Sequence, residues 1–131
     1  MKKSLLLNSE VSYELAKIGH TQTITIADAG LPVPDGVHRI DLAVMKGIPS
    51  FLQVLDAVLS EMKVEKIRLA AEICEISPEM NREIEKRFQS IPIEYVPHED
   101  FKKLTEETKA IIRTGETTSY ANIILTSGVV F

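Results

Sequence analysis

Short β-branched runs alternate along this chain with amphipathic stretches, and that alternation narrows its fold more than any other feature. Asn8 or Ser9 caps a first helix whose apolar face is Val11, Leu15 and Ile18, and Gly19 stops it. Thr23–Ala27 alternates polar and apolar residues, which predicts a strand. Gly30 to Gly36 is loop by composition, with Pro32 and Pro34 inside it, and Arg39–Val44 follows as a second strand. Pro49-Ser50 opens a helix with a broad apolar stripe at Phe51, Leu52, Leu55, Val58, Leu59 and Met62. Lys66–Ile73 is a third strand, and Ser77-Pro78-Glu79 starts a helix that runs to about Gln89, proline being favoured in the first turn. Ile91–Val96 is a fourth strand, and Pro97-His98-Glu99-Asp100 leads into a helix with Phe101 and Leu104. Ala110–Arg113 and Ala121–Leu125 complete the series. Such alternation predicts an α/β fold: three layers, α/β/α, around a central mixed, mostly parallel sheet of about six strands. The short connection between the last two strands predicts that the last is antiparallel and lies at an edge. No internal repeat, linker or low-complexity tract interrupts the pattern, so residues 1–131 are expected to form a single domain.

A chain of 131 residues buries roughly two-thirds of the surface its unfolded form exposes, enough for a core without disulfides or metal. Its 44% hydrophobic and 26% charged residues are ordinary for a globular protein. The net charge of −4, the absence of Trp and the lack of a basic patch argue against nucleic-acid binding. They also leave little field to steer an anionic substrate. Cys74 is the sole cysteine, so no internal disulfide forms, which fits a reducing compartment. Its place at the expected end of the third strand predicts a small buried hydrophobe. The apolar part of Ser4–Asn8 is too short for a signal peptide, and no apolar run approaches a membrane span. The expected location is the cytoplasm, with no membrane partner.

The chemistry-bearing residues cluster near element ends. His20 follows the first helix, and eight positions later Asp28 ends a strand before a Gly/Pro loop. This pattern puts an imidazole and a carboxylate at the ends of neighbouring elements, where loops build sites on a rigid frame. His20 near Asp28 can serve as a general acid or base, or it can simply cap helix carbonyls. Asp28 can hold a ligand or make only an Asx-turn. His98 follows Pro97 at a strand end and heads a helix, as a site residue or a plain loop residue; His38 is expected at the surface. Tyr120 and Asn122, two apart, share one face if they lie on a strand, so a phenol and an amide would reach one polar ligand. The three histidines are far apart and show no metal-ligand spacing, and no GxGxxG, Walker loop or GxSxG occurs. No metal and no cofactor is therefore expected, and what remains is acid–base chemistry.

Together, several segments resemble the D-ribose pyranase family, small sugar mutarotases found beside bacterial ribose transporters. They are Leu7-Asn8, Gly19-His20-Thr21, the block Asp28–Val37, Arg39–Ala43, Ala71-Glu72-Ile73, Pro97-His98-Glu99, Ile112–Glu116 and Tyr120–Leu125, in order along the whole chain. The sister L-fucose mutarotases share the Gly-His and Tyr-x-Asn elements but break the Asp28–Pro34 and Arg39–Ala43 blocks, which favours ribose. The resemblance implies an isomerase that interconverts the β-pyranose and β-furanose forms of D-ribose for ribose catabolism. It implies His20 as proton donor, with Asp28, His98 and the Tyr120-Ala121-Asn122 segment binding sugar. It further implies a homo-oligomer, a ring of five or two stacked rings forming a decamer, with sites near subunit boundaries. Two departures stand out: Gln22 replaces an acidic residue common after His-Thr, and Ser119 replaces a proline common before Tyr120. The same residues would also suit a non-enzymatic ribose-binding module or an L-fucose-type mutarotase. A riboside hydrolase ranks last, for want of a carboxylate pair at a defined spacing.

Overall fold

Asn8 turns its side chain onto the Val11 N–H and so starts α1 (Ser9–Lys17) in the computed structural model, which describes residues 1–131. After β1 (Thr23–Ala27) and β2 (His38–Asp41), Ser50 and Gln53 form a reciprocal capping box that opens α2 (Phe51–Leu59). β3 (Val64–Ala70) is followed by a single-turn α3 (Ile73–Ile76), then α4 (Pro78–Arg87), β4 (Ile93–Val96) and α5 (His98–Leu104). β5 (Ala110–Arg113) and β6 (Ile123–Ser127) close the chain's six-stranded sheet. No helix is long and apolar enough to cross a membrane.

The strand order is β2-β5-β1-β6-β3-β4. β1 and β2 pair in parallel with β5, β3 pairs in parallel with β4, and β6 runs antiparallel to both β1 and β3. The sheet is thus mixed with a single reversed strand, β6, as the sequence predicts. The expected edge position of that strand is corrected: β6 lies inside the sheet. Its five residues are buried throughout, the pattern of a strand covered on both faces. The connection from β5 to β6 makes no hairpin. It crosses the C-terminal end of β1, where Thr114 donates to the Ala27 carbonyl and Ala29 donates to that of Glu116.

The two faces of the sheet are unequal. Ile24, Ile26, Ile67, Leu69, Ile112, Ile123 and Leu125 pack in one large core with Val11, Phe51, Leu55, Val58 and Ile84 of the helices. The opposite face has a smaller cluster, in which Phe101 of α5 and Leu31 pack with Ala27, Ala70, Ile111 and Ile124. Cys74 does not end a strand in the core. Ala71 leaves the sheet, the chain turns into α3, and the thiol is exposed.

Gly115 fixes the path of the crossing segment. A Cβ there would drive into the carbonyl oxygens of Ile48 and Met45 and the amide nitrogen of Ile48, all backbone atoms that cannot swing away. Gly115→Ala is expected to cost about 1–3 kcal/mol of stability, as overpacking does. Gly19→Ala, with nothing nearer than 3.6 Å, should be far milder. Urea denaturation of the two variants beside the parent checks this ordering.

Candidate active site

Parallel strands end together, and ligands collect in the crevice beyond their C-terminal ends. Here that edge holds Asp28 after β1, His98 after β4 and the crossing segment with Tyr120. Asp28 is built into its loop. One carboxylate oxygen accepts from the N–H groups of Gly30 (2.9 Å) and Leu31 (2.8 Å), so the Asx-turn forms. The other oxygen accepts from Asn122 Nδ2 at 2.9 Å, while Asn122 Oδ1 accepts from the Asp28 N–H at 2.8 Å. A carboxylate oxygen offers about two lone-pair directions, so Oδ2 keeps one free toward a ligand.

His98 is positioned by Glu72, whose two oxygens both accept from the His98 N–H at 3.0 Å. Its ring packs edge-on to Tyr120, 5.1 Å between centroids, and lies parallel to Phe101 at 6.3 Å. Nδ1 is buried without a partner, which leaves Nε2 as the ring atom available to a ligand. Tyr120 sits at φ 63°, a left-handed conformation uncommon outside glycine and a mark of strain held for a purpose. Contrary to the expectation of a shared strand face, Tyr120 and Asn122 precede β6. A tight turn links them, the Asn122 N–H donating to the Tyr120 carbonyl. Ala121 is buried at the centre of that turn.

Hydrogen bonds hold the approach to Tyr120. Glu116 accepts from the Thr117 and Thr118 N–H groups, the Thr118 hydroxyl and the Phe51 N–H, and Ser77 Oγ donates to the Ser119 carbonyl at 2.7 Å. These contacts fix the backbone that lacks a proline at position 119. A cleft of about 290 Å³ opens among Asp28, Gly30, Leu31, Pro32, His98, Ser119 and Tyr120. A larger, mostly apolar cavity of about 620 Å³ lies between Leu5–Leu7 and α2, and its polar side chains, Asn8, Gln53 and Asp56, are already bonded to the Val11 N–H, the Ser50 N–H and Arg87.

His20 is elsewhere. It precedes β1, whereas Asp28 follows it, so the five strand residues between them set the two roughly 17 Å or more apart at ~3.4 Å per residue. The eight-residue spacing, read as proximity, becomes separation because the intervening segment is fully extended. α1 ends at Lys17, and the His20 ring bonds Glu65 (2.9 Å) rather than helix carbonyls. Gln22 supports the loop through its side-chain oxygen, which accepts from the Gly19 N–H at 2.9 Å, a task the commoner acidic residue would also perform. The candidate residues therefore fall into two separate groups. Asp28, His98, Tyr120 and Asn122 meet at one edge of the sheet, and His20 stands at the other. Glu65 was not singled out by sequence reasoning, and Glu72 and Glu116, though inside the resembling segments, were given no role. The only signal for Glu65 was the consecutive polar pair Glu65-Lys66 between buried Val64 and Ile67.

Two of these carboxylates have shifted titration. The His98 N–H, joined by Glu72's own N–H, holds the Glu72 carboxyl below its ordinary 4.5. Burial alone would raise Glu116, but hydrogen bonds from the Thr118 hydroxyl and the Phe51, Thr118 and Thr117 N–H groups outweigh it and lower the group from 4.5. A carboxyl depressed on folding contributes stability above its unfolded value and loses it as pH falls through the folded one. Stability should stay level near neutrality and drop below 4.5. Glu116→Gln should be less stable at neutral pH and show a shallower acid decline, as urea midpoints across the acid range will reveal.

A family model described as the RbsD / FucU transport protein family matches residues 1–130. A D-ribose pyranase from Bacillus cereus is 56% identical over 131 residues, covering all of both chains. The structure of Bacillus subtilis RbsD complexed with D-ribose superposes with a TM-score of 0.97 at 51% identity, again over both full chains. The fucose mutarotase from Streptococcus pneumoniae, solved with L-fucose, gives a TM-score of 0.79 at 27% identity and full coverage of each. Sequence blocks, sheet topology and these likenesses agree, and the chain belongs to the RbsD / FucU family.

Proposed function

We propose that this chain is a D-ribose pyranase, a cofactor-independent isomerase that opens and recloses the ribose ring between its β-pyranose and β-furanose forms in the cytoplasm. The observation that carries the reading is the cleft at the C-terminal strand edge. It presents a carboxylate lone pair, an imidazole and a phenol, and neither lysine nor arginine lines it. That suits a neutral polyol rather than a phosphate. Identity of 56% and 51% to ribose-named relatives, against 27% to the fucose mutarotase, supports ribose as the sugar.

Ring opening needs a base to take the anomeric hydroxyl proton and an acid to protonate the ring oxygen. The aldehyde then recloses through a different hydroxyl, which returns both protons, so the reaction balances without an electron carrier. The step already proceeds in water, and one well-placed acid–base group contributes typically 10²–10⁴-fold. His20 is that group. Asp28, His98 and Tyr120 hold hydroxyls, and Asn122 acts largely by orienting Asp28.

His20 and the cleft lie too far apart to act within one chain, so we place the complete site at a boundary between two copies in a ring. His20 of one subunit completes the cleft of its neighbour. The exposed Val44, Met45, Ile48, Val130 and Phe131 support self-association, as apolar patches of this kind do.

Saturation-transfer NMR on D-ribose with trace protein tests the function. His20→Ala should slow pyranose–furanose exchange roughly 10²-fold while calorimetric ribose affinity changes little, because an acid acts mainly in the transition state. Asp28→Asn and Asn122→Ala should instead weaken affinity. Wild-type protein that shifts the ring-form equilibrium only in proportion to its own concentration would be a binder. His20→Ala with a wild-type exchange rate would transfer the proton role to His98.

A further inference from the structure

β3 pairs regularly with β6 except at one place. Val64 pairs with Ser127 and Lys66 with Thr126, so Glu65 is an extra residue with no partner across the ladder. Bulges of this kind re-aim a side chain, and they concentrate next to active sites. Glu65 is aimed at His20, with Oε2 2.9 Å from Nε2. Two further features keep the pair together. Thr21, next to His20, adopts φ 67° and its N–H donates to the Ser127 carbonyl, which anchors the His20 loop to the end of β6. Position 128 is glycine, and a Cβ there would press on the Glu65 Cβ at 3.2 Å and approach Oε2 at 3.5 Å. The bulge, the anchored loop and the missing side chain converge on one contact.

We infer that Glu65 is the positioning residue of His20: it holds the Nε2 hydrogen in both protonation states, so Nδ1 is the nitrogen that gives a proton to the sugar as imidazolium and takes one back as the neutral ring. This rests on the reading of His20 as the acid–base group. An ionised carboxylate only accepts hydrogen bonds, so the nitrogen facing Glu65 carries the hydrogen. No group of the chain bonds Nδ1. The bond also stops the ring from flipping, the orienting role of the third member in nucleophile–base–carboxylate constellations.

Glu65 is partly exposed and outside the core, so Glu65→Ala and Glu65→Gln should fold. Exchange is measured by saturation transfer over a ribose series, and imidazole ¹⁵N shifts are read on histidine-labelled protein, with His20 assigned by its loss in His20→Ala. The expected result is kcat lowered at least about tenfold with KM nearly unchanged, the scale on which orienting partners act. Wild type should show a single His20 tautomer with hydrogen on Nε2, and Glu65→Ala a mixture. A kcat within about twofold of wild type and an unchanged tautomer, with His20→Ala inactive, would overturn the positioning role alone. Raised KM with unchanged kcat would make Glu65 a sugar ligand and overturn it too. If His20→Ala itself exchanges ribose normally, the underlying reading of His20 falls, and the inference with it.

Discussion

Asn122, buried at the head of β6, bonds Asp28 twice, accepting from its N–H and donating to its carboxylate. The strand that follows is the one reversed member of the sheet, and it sits between β1 and β3. The two facts depend on each other. Because β6 starts where β1 ends, the crossing segment must pass over the β1 terminus, and its residues become neighbours of Asp28. Losing the amide would leave the half-buried Asp28 N–H without its protein partner, a cost of about 1 kcal/mol, the net worth of an ordinary hydrogen bond. The crossing would also lose its tie to β1. Gly115 admits the segment to its tight path against residues 45–48, and Glu116 and Ser77 hold its last stretch. Tyr120, in its left-handed conformation, is the end of that chain of constraints.

Much of this was legible in the sequence. The Thr23–Ala27 and Ala110–Arg113 strands stand where the alternation put them, and the caps at Asn8 and Ser50 start helices as their residue types imply. What failed was non-local. A nine-residue connection between β5 and β6 reads as a hairpin, and only burial on both faces of β6 reveals a central strand. Cys74 was expected at a strand end because Lys66–Ile73 is mostly apolar, but the strand ends at Ala70 and the chain turns. The cleft residues Asp28, His98 and Tyr120 were legible through motif blocks next to element ends. Their separation from His20 was implicit in the strand between them. Asp28 makes the Asx-turn its position suggests, and its other oxygen, bonded to Asn122, still keeps a lone pair. Glu65 was missed because a carboxylate at a strand start looks like a solvated residue until a bulge turns it toward a histidine.

On the proposed reading, the two clusters at opposite ends of one strand make association part of the chemistry. Each subunit would offer its cleft at one edge and the His20 imidazole at the other, so that neither is complete alone. In a closed ring with head-to-tail contacts, every boundary joins the same two unlike surfaces.

The most direct test of this account is to co-express His20→Ala and Asp28→Asn subunits and measure ribose ring-form exchange at sub-saturating sugar, where each variant alone is nearly silent. If sites are shared between copies, random assembly places an intact histidine beside an intact cleft at about one quarter of the boundaries of a head-to-tail ring, and activity should return to that fraction of wild type. A mixed oligomer as inactive as its two parents would show that both residues must lie in the same chain, and would contradict the account.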